Sequence, residues 1–194
     1  ADRLAQLPIA LIGVALNVVS LPKLSSLKDS GRLAEGNSYL NQSMQLSVIF
    51  SIPATLGLIY LNSEIIEFLF QRGNFLAHDT IQTSMALSIY SLSIIPISLQ
   101  MLLLNFYFSE KKIKIPFYYS LVSVFLNVGF AYSLLGKFEF LAPPIAYAIT
   151  NWLVFVSLLY HTYKFGFYFN ITFKRALPKI LLSACIILIL LIFF

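Results

Sequence analysis

The polar side chains at the start of the chain are the ones best suited to hold a ligand. Read as a helix, the first 25 residues place Arg3 and Gln6 on one face. Ala10, Gly13 and Asn17 continue that face at spacings of three and four, and the opposite face is apolar. A guanidinium suits phosphate because its planar fork can donate two parallel hydrogen bonds. The face therefore predicts a polar wall where Arg3 can meet an anion and the small residues leave room.

The role of Arg3 depends on where its side chain points. An arginine that faces lipid is costly, so Arg3 either reaches back to the outer membrane interface or points into a water-filled cavity. Asp2 is its neighbour in sequence, but adjacent residues do not share a helix face. Both orientations of Arg3 stay open on these grounds.

A second group of polar residues lies within the later apolar stretches. Asn127, Thr150 and Asn151 are candidates for a cation or other polar contact, and the two amides are the stronger ones because amides are hard to hide in lipid. Serine and threonine in such stretches usually join helices or bond to their own backbone. We expect that structural role for Ser47, Ser51, Thr55, Ser88, Ser91 and Ser98.

The sequence offers no constellation for catalysis on a soluble substrate. It has no phosphate-cradling loop, no paired carboxylates inside an apolar stretch and no nucleophile with a nearby base. His78 and His161 stand alone near the predicted membrane edges, and the single Cys185 lies in the last apolar stretch. We therefore expect a protein that is not an enzyme and that holds no metal or organic cofactor.

Composition places the chain in a membrane. Hydrophobic residues make up 59% of it and charged residues only 11%, whereas a soluble domain carries about 25% charge. The net charge of +5 comes from basic residues in short loops and not from a basic face. The distribution therefore argues against a nucleic-acid partner.

Six apolar stretches approach the length of about 20 residues that a helix needs to cross a bilayer. Pro96 lies in the middle of the third stretch, where we expect it to kink the helix. The pattern predicts an all-α, polytopic integral membrane helix bundle with about six transmembrane helices. The stretches cover about 4–22, 44–62, 81–108, 116–135, 142–163 and 177–194.

The basic residues indicate the orientation of the helices. Ten of the 13 Lys and Arg residues lie in the loops after the first, third and fifth stretches, and such loops stay on the cytoplasmic side. The first helix should then run from outside to inside, which puts Arg3 at the outer side. Between the second and third stretches, residues 63–76 predict a short amphipathic helix in the outer interface, ended by a turn at Arg72 and Gly73.

Three motifs carry a resemblance to a known family. They are ADRLAQLPIALIGVALNVVSLPKLS (1–25), LFQRGNFLAHDT (69–80) and FYFSEKKIKIP (106–116). The third motif matches only in part: Phe106, Tyr107, Lys114 and Pro116 fit the family pattern, and its other residues do not. In this order they resemble the MurJ (MviN) lipid II flippases of bacterial peptidoglycan synthesis, within the MOP exporter superfamily. The resemblance covers essentially the whole chain.

The resemblance implies a fragment of a two-lobe, fourteen-helix flippase, here helices eight to thirteen. Residues 1–163 would form most of the C-terminal lobe, and residues 164–194 a cytoplasmic loop and an additional helix beside a groove for the lipid tail. The family's arginine in the first motif carries over to Arg3, which would bind the diphosphate of the head group. Gln6, Ala10, Gly13 and Asn17 would line the cavity.

The same resemblance implies the partners and the place of action. The partners would be lipid II, membrane lipids and a missing N-terminal lobe, in the bacterial cytoplasmic (inner) membrane. Transport by alternating access would draw on a monovalent cation gradient or the membrane potential. The alternatives are another MOP-type exporter, for polysaccharide lipids or drugs, and a non-transporting scaffold for cell-wall assembly.

Overall fold

The computed structural model describes residues 1–170, 173, 178–180, 182–183 and 186. Within them, four helical runs are long and apolar enough to cross a membrane: Asp2–Asp29, Leu33–Tyr60, Ala77–Ser109 and Lys114–Lys164. The predicted helix over 177–194, with Cys185 and the predicted tail groove, lies outside the described residues except for positions 178–180, 182–183 and 186. The described part is helical except for turns and short non-helical segments such as residues 167–170, which confirms the all-α prediction.

The first run contains a change of helix type. Helix α1 covers Asp2–Pro8 and helix α2 covers Ala15–Asp29, and between them Ile9–Val14 form a π-helical segment. A π-helix closes its hydrogen bonds at i→i+5, so the segment holds about one more residue per turn than an α-helix. Side chains before and after it are therefore rotated relative to the spacing that a single α-helix would give.

Helices α3 (Leu33–Tyr60) and α4 (Asn62–Phe70) follow with only Leu61 between them. Helix α4 falls within the segment predicted to be amphipathic. It buries Ile66 and leaves Phe68 exposed. The chain then turns at Gly73, whose φ of +60° is the left-handed conformation that glycine adopts without strain. The position of α4 in the outer interface stays a prediction.

The third run is interrupted at Leu92 and Ser93, between helices α5 (Ala77–Ser91) and α6 (Ile94–Ser109). This interruption confirms the predicted effect of Pro96, which lies in the first turn of α6. Proline has no backbone N–H and its ring clashes with the carbonyl four residues earlier, so the Leu92 carbonyl cannot accept a helical hydrogen bond from residue 96. The indole N–H of Trp152 donates to that carbonyl at 3.1 Å. The proline thus displaces the break one turn towards the N-terminus, and a neighbouring helix supplies the missing donor.

The fourth run holds two helices. Helices α7 (Lys114–Phe138) and α8 (Ala142–Lys164) are joined by the single turn Glu139–Leu141, where Glu139 has a φ of +45°. The reversal lets α7 pack along α8 as an antiparallel pair. The described part therefore contains five of the six predicted spans.

The interior of the bundle is formed mainly by α2, α3, α6 and α8. Its largest buried side chains include Leu24, Leu40, Met44, Leu102 and Tyr107. Serine and asparagine are buried beside them, while many leucines and phenylalanines are exposed. This pattern is expected of a bundle whose surroundings are apolar.

Contacts at one end of the bundle bring the basic loops together. Lys28 at the end of α2 meets Glu110 after α6, and Lys112 lies 4.7 Å from the ring centroid of Phe165 after α8. The arrangement agrees with the positive-inside distribution, because the three loops rich in Lys and Arg share one side. Arg3 lies at the opposite end.

Candidate functional site

Arg3 and Gln6 are brought together at the head of α1. The Nη1 of Arg3 donates to the Oε1 of Gln6 at 3.1 Å, and the Nε2 of Gln6 donates to the Oδ2 of Asp2 at 2.6 Å. The amide of Gln6 therefore stands between the two charges and orients both. Arg3 is exposed and forms no ion pair within the part of the chain that the structure describes. Its remaining donors are available to a ligand.

The opposite face of α1 anchors this end of the bundle. Ala5, Ile66 and Leu87 form a buried apolar cluster, which fixes α1 against α4 and α5. Residues two apart project to nearly opposite sides of a helix. Burial of Ala5 therefore turns Arg3 outwards. Ile66 of α4 and Leu87 of α5 keep Ala5 buried and so maintain this orientation of α1.

The remainder of the predicted stripe does not form one continuous open surface. Ala10 is exposed and Asn17 is half-buried, but Gly13 is buried against α6. A Cβ added at Gly13 would lie 3.1 Å from the Sδ of Met101 and 3.3 Å from the Cα of Ser98. The π-helical segment rotates these positions away from the regular α-helical spacing. The roles of Gln6, Ala10, Gly13 and Asn17 towards a ligand stay predictions.

Two of the three deeper candidates share a groove. Asn127 of α7 and Asn151 of α8 line a groove of about 330 Å³ together with Ser123 and Tyr147. The Nδ2 of Asn151 donates to the carbonyl of Tyr147 at 2.8 Å, which fixes the orientation of the amide. Thr150 is buried and does not line this groove. A cation contact at these residues stays a prediction.

An ionic cluster at the opposite end of the bundle was not predicted from the sequence. Glu110 binds Lys28 at 2.5 Å and Lys112 at 2.8 Å. Burial alone would raise the pKa of the Glu110 carboxyl, but hydrogen bonds from Lys112 and Lys28 outweigh burial and lower that pKa below its ordinary value. Lys28 also lies 4.0 Å from the ring centroid of Phe106. The cluster ties the ends of α2 and α6 together.

A pair of buried asparagines holds the non-helical segment 167–170 that follows α8. The Nδ2 atoms of Asn37 and Asn41 donate to the carbonyl of Tyr168 at 3.1 and 2.9 Å. The Oδ1 of Asn41 accepts from the backbone N–H of Asn170 at 3.1 Å. Sequence reasoning missed this pair, although two asparagines four residues apart share a helix face and are costly in lipid.

Comparison with known proteins gives a consistent result. The family model described as "Lipid II flippase MurJ" matches residues 1–194. A probable lipid II flippase MurJ of Bdellovibrio bacteriovorus is 32% identical over 187 residues, 95% of this chain and 36% of that protein. A relative of the same description from Aquifex aeolicus is 34% identical over 81% of this chain and 31% of that protein. The chain thus spans about a third of the length of these relatives.

A solved structure shares the fold. It is described as lipid II flippase MurJ in an inward closed conformation, and it aligns with a TM-score of 0.74 over 94% of this chain and 43% of that chain. The sequence identity is 23%, so this match supports the arrangement of helices and not individual residues.

Proposed function

Since the chain belongs to the lipid II flippase MurJ family, we propose that it forms most of one lobe of a lipid II flippase. The rest of the polypeptide would supply the facing lobe, and the two would enclose a polar cavity. The cavity would open to each side of the bacterial cytoplasmic membrane in turn. It would carry an undecaprenyl-diphosphate-linked precursor from the inner to the outer leaflet.

The proposal answers a physical problem, which is the cost of moving a charged, sugar-bearing head group through hydrocarbon. The observation that carries it is the exposed guanidinium of Arg3 at the head of an apolar spanning helix, oriented by Gln6 and Asp2. Charge-assisted hydrogen bonds from Arg3 would hold the diphosphate. Asn17 would add a polar wall, and Ala10 would leave room for the head group.

The chain is proposed to transport and not to catalyse, because the relatives that it matches are named as flippases. The driving force would come from the membrane potential or a monovalent cation gradient. The groove with Asn127 and Asn151 is the candidate contact for such a cation. The division at residue 163, with a separate C-terminal helix by a lipid-tail groove, is part of the same proposal.

Replacement of Arg3 tests the head-group role in the natural, full-length protein. A hydrogen bond to a charged group contributes about 1.5–3 kcal/mol, so Arg3→Ala should weaken head-group binding about 10- to 100-fold. Arg3→Lys keeps the charge but loses the planar fork, and it should retain part of the activity. Lys137→Ala is the matched control, because it removes another exposed positive charge at the same end.

The readout is lipid II exposed on the outer leaflet after the wild-type protein is depleted. Lost exposure with Arg3→Ala and normal exposure with Lys137→Ala are expected. Normal exposure and growth with both Arg3 variants would remove the head-group role. Normal exposure after depletion of the protein itself, with defective wall synthesis, would instead indicate a scaffold.

A further inference from the structure

Three helices turn polar residues towards one another inside the lobe. Helix α2 contributes Asn17 and Ser20. The serines of α3 follow one another at spacings of four, and the serine and the asparagine of α6 lie seven residues apart, so the residues from each of these helices share one helix face. Helices α2, α3 and α6 all pack against one another. We call this set the polar seam; it consists of Asn17, Ser20, Ser43, Ser47, Ser51, Ser98 and Asn105.

Two hydrogen bonds fix the seam in register. The Oγ of Ser20 donates to the Oγ of Ser43 at 3.2 Å, and the Nδ2 of Asn105 donates to the backbone carbonyl of Asn17 at 3.0 Å. An α-helix rises about 1.5 Å per residue, so Ser47 lies about one turn beyond Ser43, near the level of Asn17. Asn17, Ser47 and Asn105 therefore form one polar layer within the membrane-spanning part.

A second layer lies one to two turns further along. Ser98 packs beside Gly13, which is one turn from Asn17 in the same direction. Ser51 lies one turn beyond Ser47 on α3. The absence of a side chain at Gly13 brings α6 close to the π-helical segment here, and the Oγ of Ser98 lies at this contact.

Five oxygens of the seam have no hydrogen-bond partner among the described residues: Asn17 Oδ1, Asn105 Oδ1, Ser47 Oγ, Ser51 Oγ and Ser98 Oγ. The three serines are 0% exposed and Asn105 is 1% exposed. A buried polar atom left unpaired costs about 1–3 kcal/mol. Five such atoms would together cost about as much as the whole stability of a typical domain. The seam therefore needs an occupant that bonds to them.

The chemistry of these oxygens selects the occupant. Amide oxygens only accept hydrogen bonds, so it must donate hydrogen bonds or carry positive charge. All eight carboxylates of the chain lie at helix ends, in α4 or in turns. A cation in the seam would thus be buried without a counter-charge, which is expensive. Water donates two hydrogen bonds and accepts two at no charge cost.

We propose that ordered water molecules occupy the polar seam between α2, α3 and α6. A buried water makes about three hydrogen bonds, so about two waters satisfy the five oxygens. This hydration belongs to the packing of the lobe and does not depend on the head-group role of Arg3.

Two of the three methionines of the chain provide the test by X-ray radiolysis, in which hydroxyl radicals formed from bound water oxidise adjacent side chains. Met101 borders the seam, since its Sδ lies 3.1 Å from the position of a Cβ on Gly13. Met85 is 49% exposed on α5, within the apolar run Ala77–Ser109 and outside the seam, and serves as the control. In the full-length protein in lipid nanodiscs, we expect oxidation of Met101 to exceed that of Met85 several-fold.

Two variants remove the polar partners from the seam. Asn105→Leu replaces the central amide by an apolar side chain of similar size, and the double change Ser47→Ala with Ser98→Ala is a milder alternative should the first fail to fold. Either variant should lower Met101 oxidation towards the Met85 level.

Oxidation of Met101 no greater than that of Met85 in the wild type, or unchanged in a folded variant, would overturn the proposal. Replacement of Na⁺ and K⁺ by choline gives the remaining control. A change in Met101 oxidation on that exchange would show a cation in the seam and would also overturn it.

Discussion

Substitution of Gly13 distinguishes a packed glycine from one that lines an open cavity. The sequence predicts that Gly13 leaves room for substrate, whereas the structure packs it against α6. An added Cβ would approach the Sδ of Met101 at 3.1 Å and the Cα and Oγ of Ser98 at 3.3 Å. The methionine end can move, but the Ser98 backbone can give way only if α6 shifts. Gly13→Ala should therefore strain the contact between the π-helical segment and α6.

The magnitude follows from two opposing contributions. Alanine is favoured over glycine in a helix by about 1 kcal/mol, and overpacking a close contact costs about 1–3 kcal/mol. Gly129 in α7 has no atom within 4 Å of an added Cβ, so Gly129→Ala gains the first contribution without the second. The helix-propensity contribution cancels between the two variants. Gly13→Ala should thus be less stable than Gly129→Ala by about 1–3 kcal/mol.

Thermal unfolding of both variants in full-length protein measures this difference. Each kcal/mol corresponds to about 2–4 °C in Tm for a globular domain of about 150–250 residues and to less in a longer protein, so full-length Gly13→Ala should melt at least about 1 °C below full-length Gly129→Ala. Equal melting temperatures, with transport lowered only in Gly13→Ala, would show that Gly13 faces an open cavity. That result would refute the packing described above.

Two further changes test contacts at the opposite end. Asn41→Leu removes the hydrogen bonds to the Tyr168 carbonyl and from the Asn170 N–H, which should cost about 1–3 kcal/mol of stability. Proteolysis around residues 166–170 should therefore accelerate, while Gln42→Leu, a change at the exposed neighbouring residue, should leave the rate unchanged. Equal proteolysis rates for the two variants would show that Asn41 does not hold this segment. Because the pKa of Glu110 is below its ordinary value of 4.5, its ionised form stabilises the fold above pH 4.5, and that contribution is lost as pH falls through the folded-state pKa. Glu110→Gln should therefore show a smaller decrease in Tm between pH 7 and pH 3; identical decreases would contradict the role of the cluster.

Hydropathy was sufficient to predict the spans because it reports contact with lipid, residue by residue. The stretches at 116–135 and 142–163 correspond to α7 and α8, and the Gly73 turn is where the sequence placed it. The prediction that Pro96 interrupts the third stretch is confirmed. A proline blocks the carbonyl four residues earlier, so the break falls at Leu92 and not at Pro96.

Contacts between distant helices could not be predicted in this way. Asn105 bonds to Asn17 across 88 residues, and Asn37 bonds to a carbonyl 131 residues away. Their amides signal that a partner is required, but no local pattern identifies which one. The π-helical segment Ile9–Val14 has no signature in the sequence periodicity either, so the periodicity predicts a single face from Arg3 to Asn17.

The exposure pattern of the bundle bears directly on Arg3. Exposed positions on the spanning helices are mostly apolar, as Leu7, Leu11 and Val18 on the same run show. Lipid is therefore the solvent for most of this surface, and an exposed charge in contact with it is expensive. Arg3 is exposed and held outwards by the buried Ala5, so its guanidinium must face head groups, water or a second polar surface. The proposed facing lobe with a hydrated cavity would supply that polar surface, and a diphosphate there would also supply the negative charge that Asp2 provides only through Gln6.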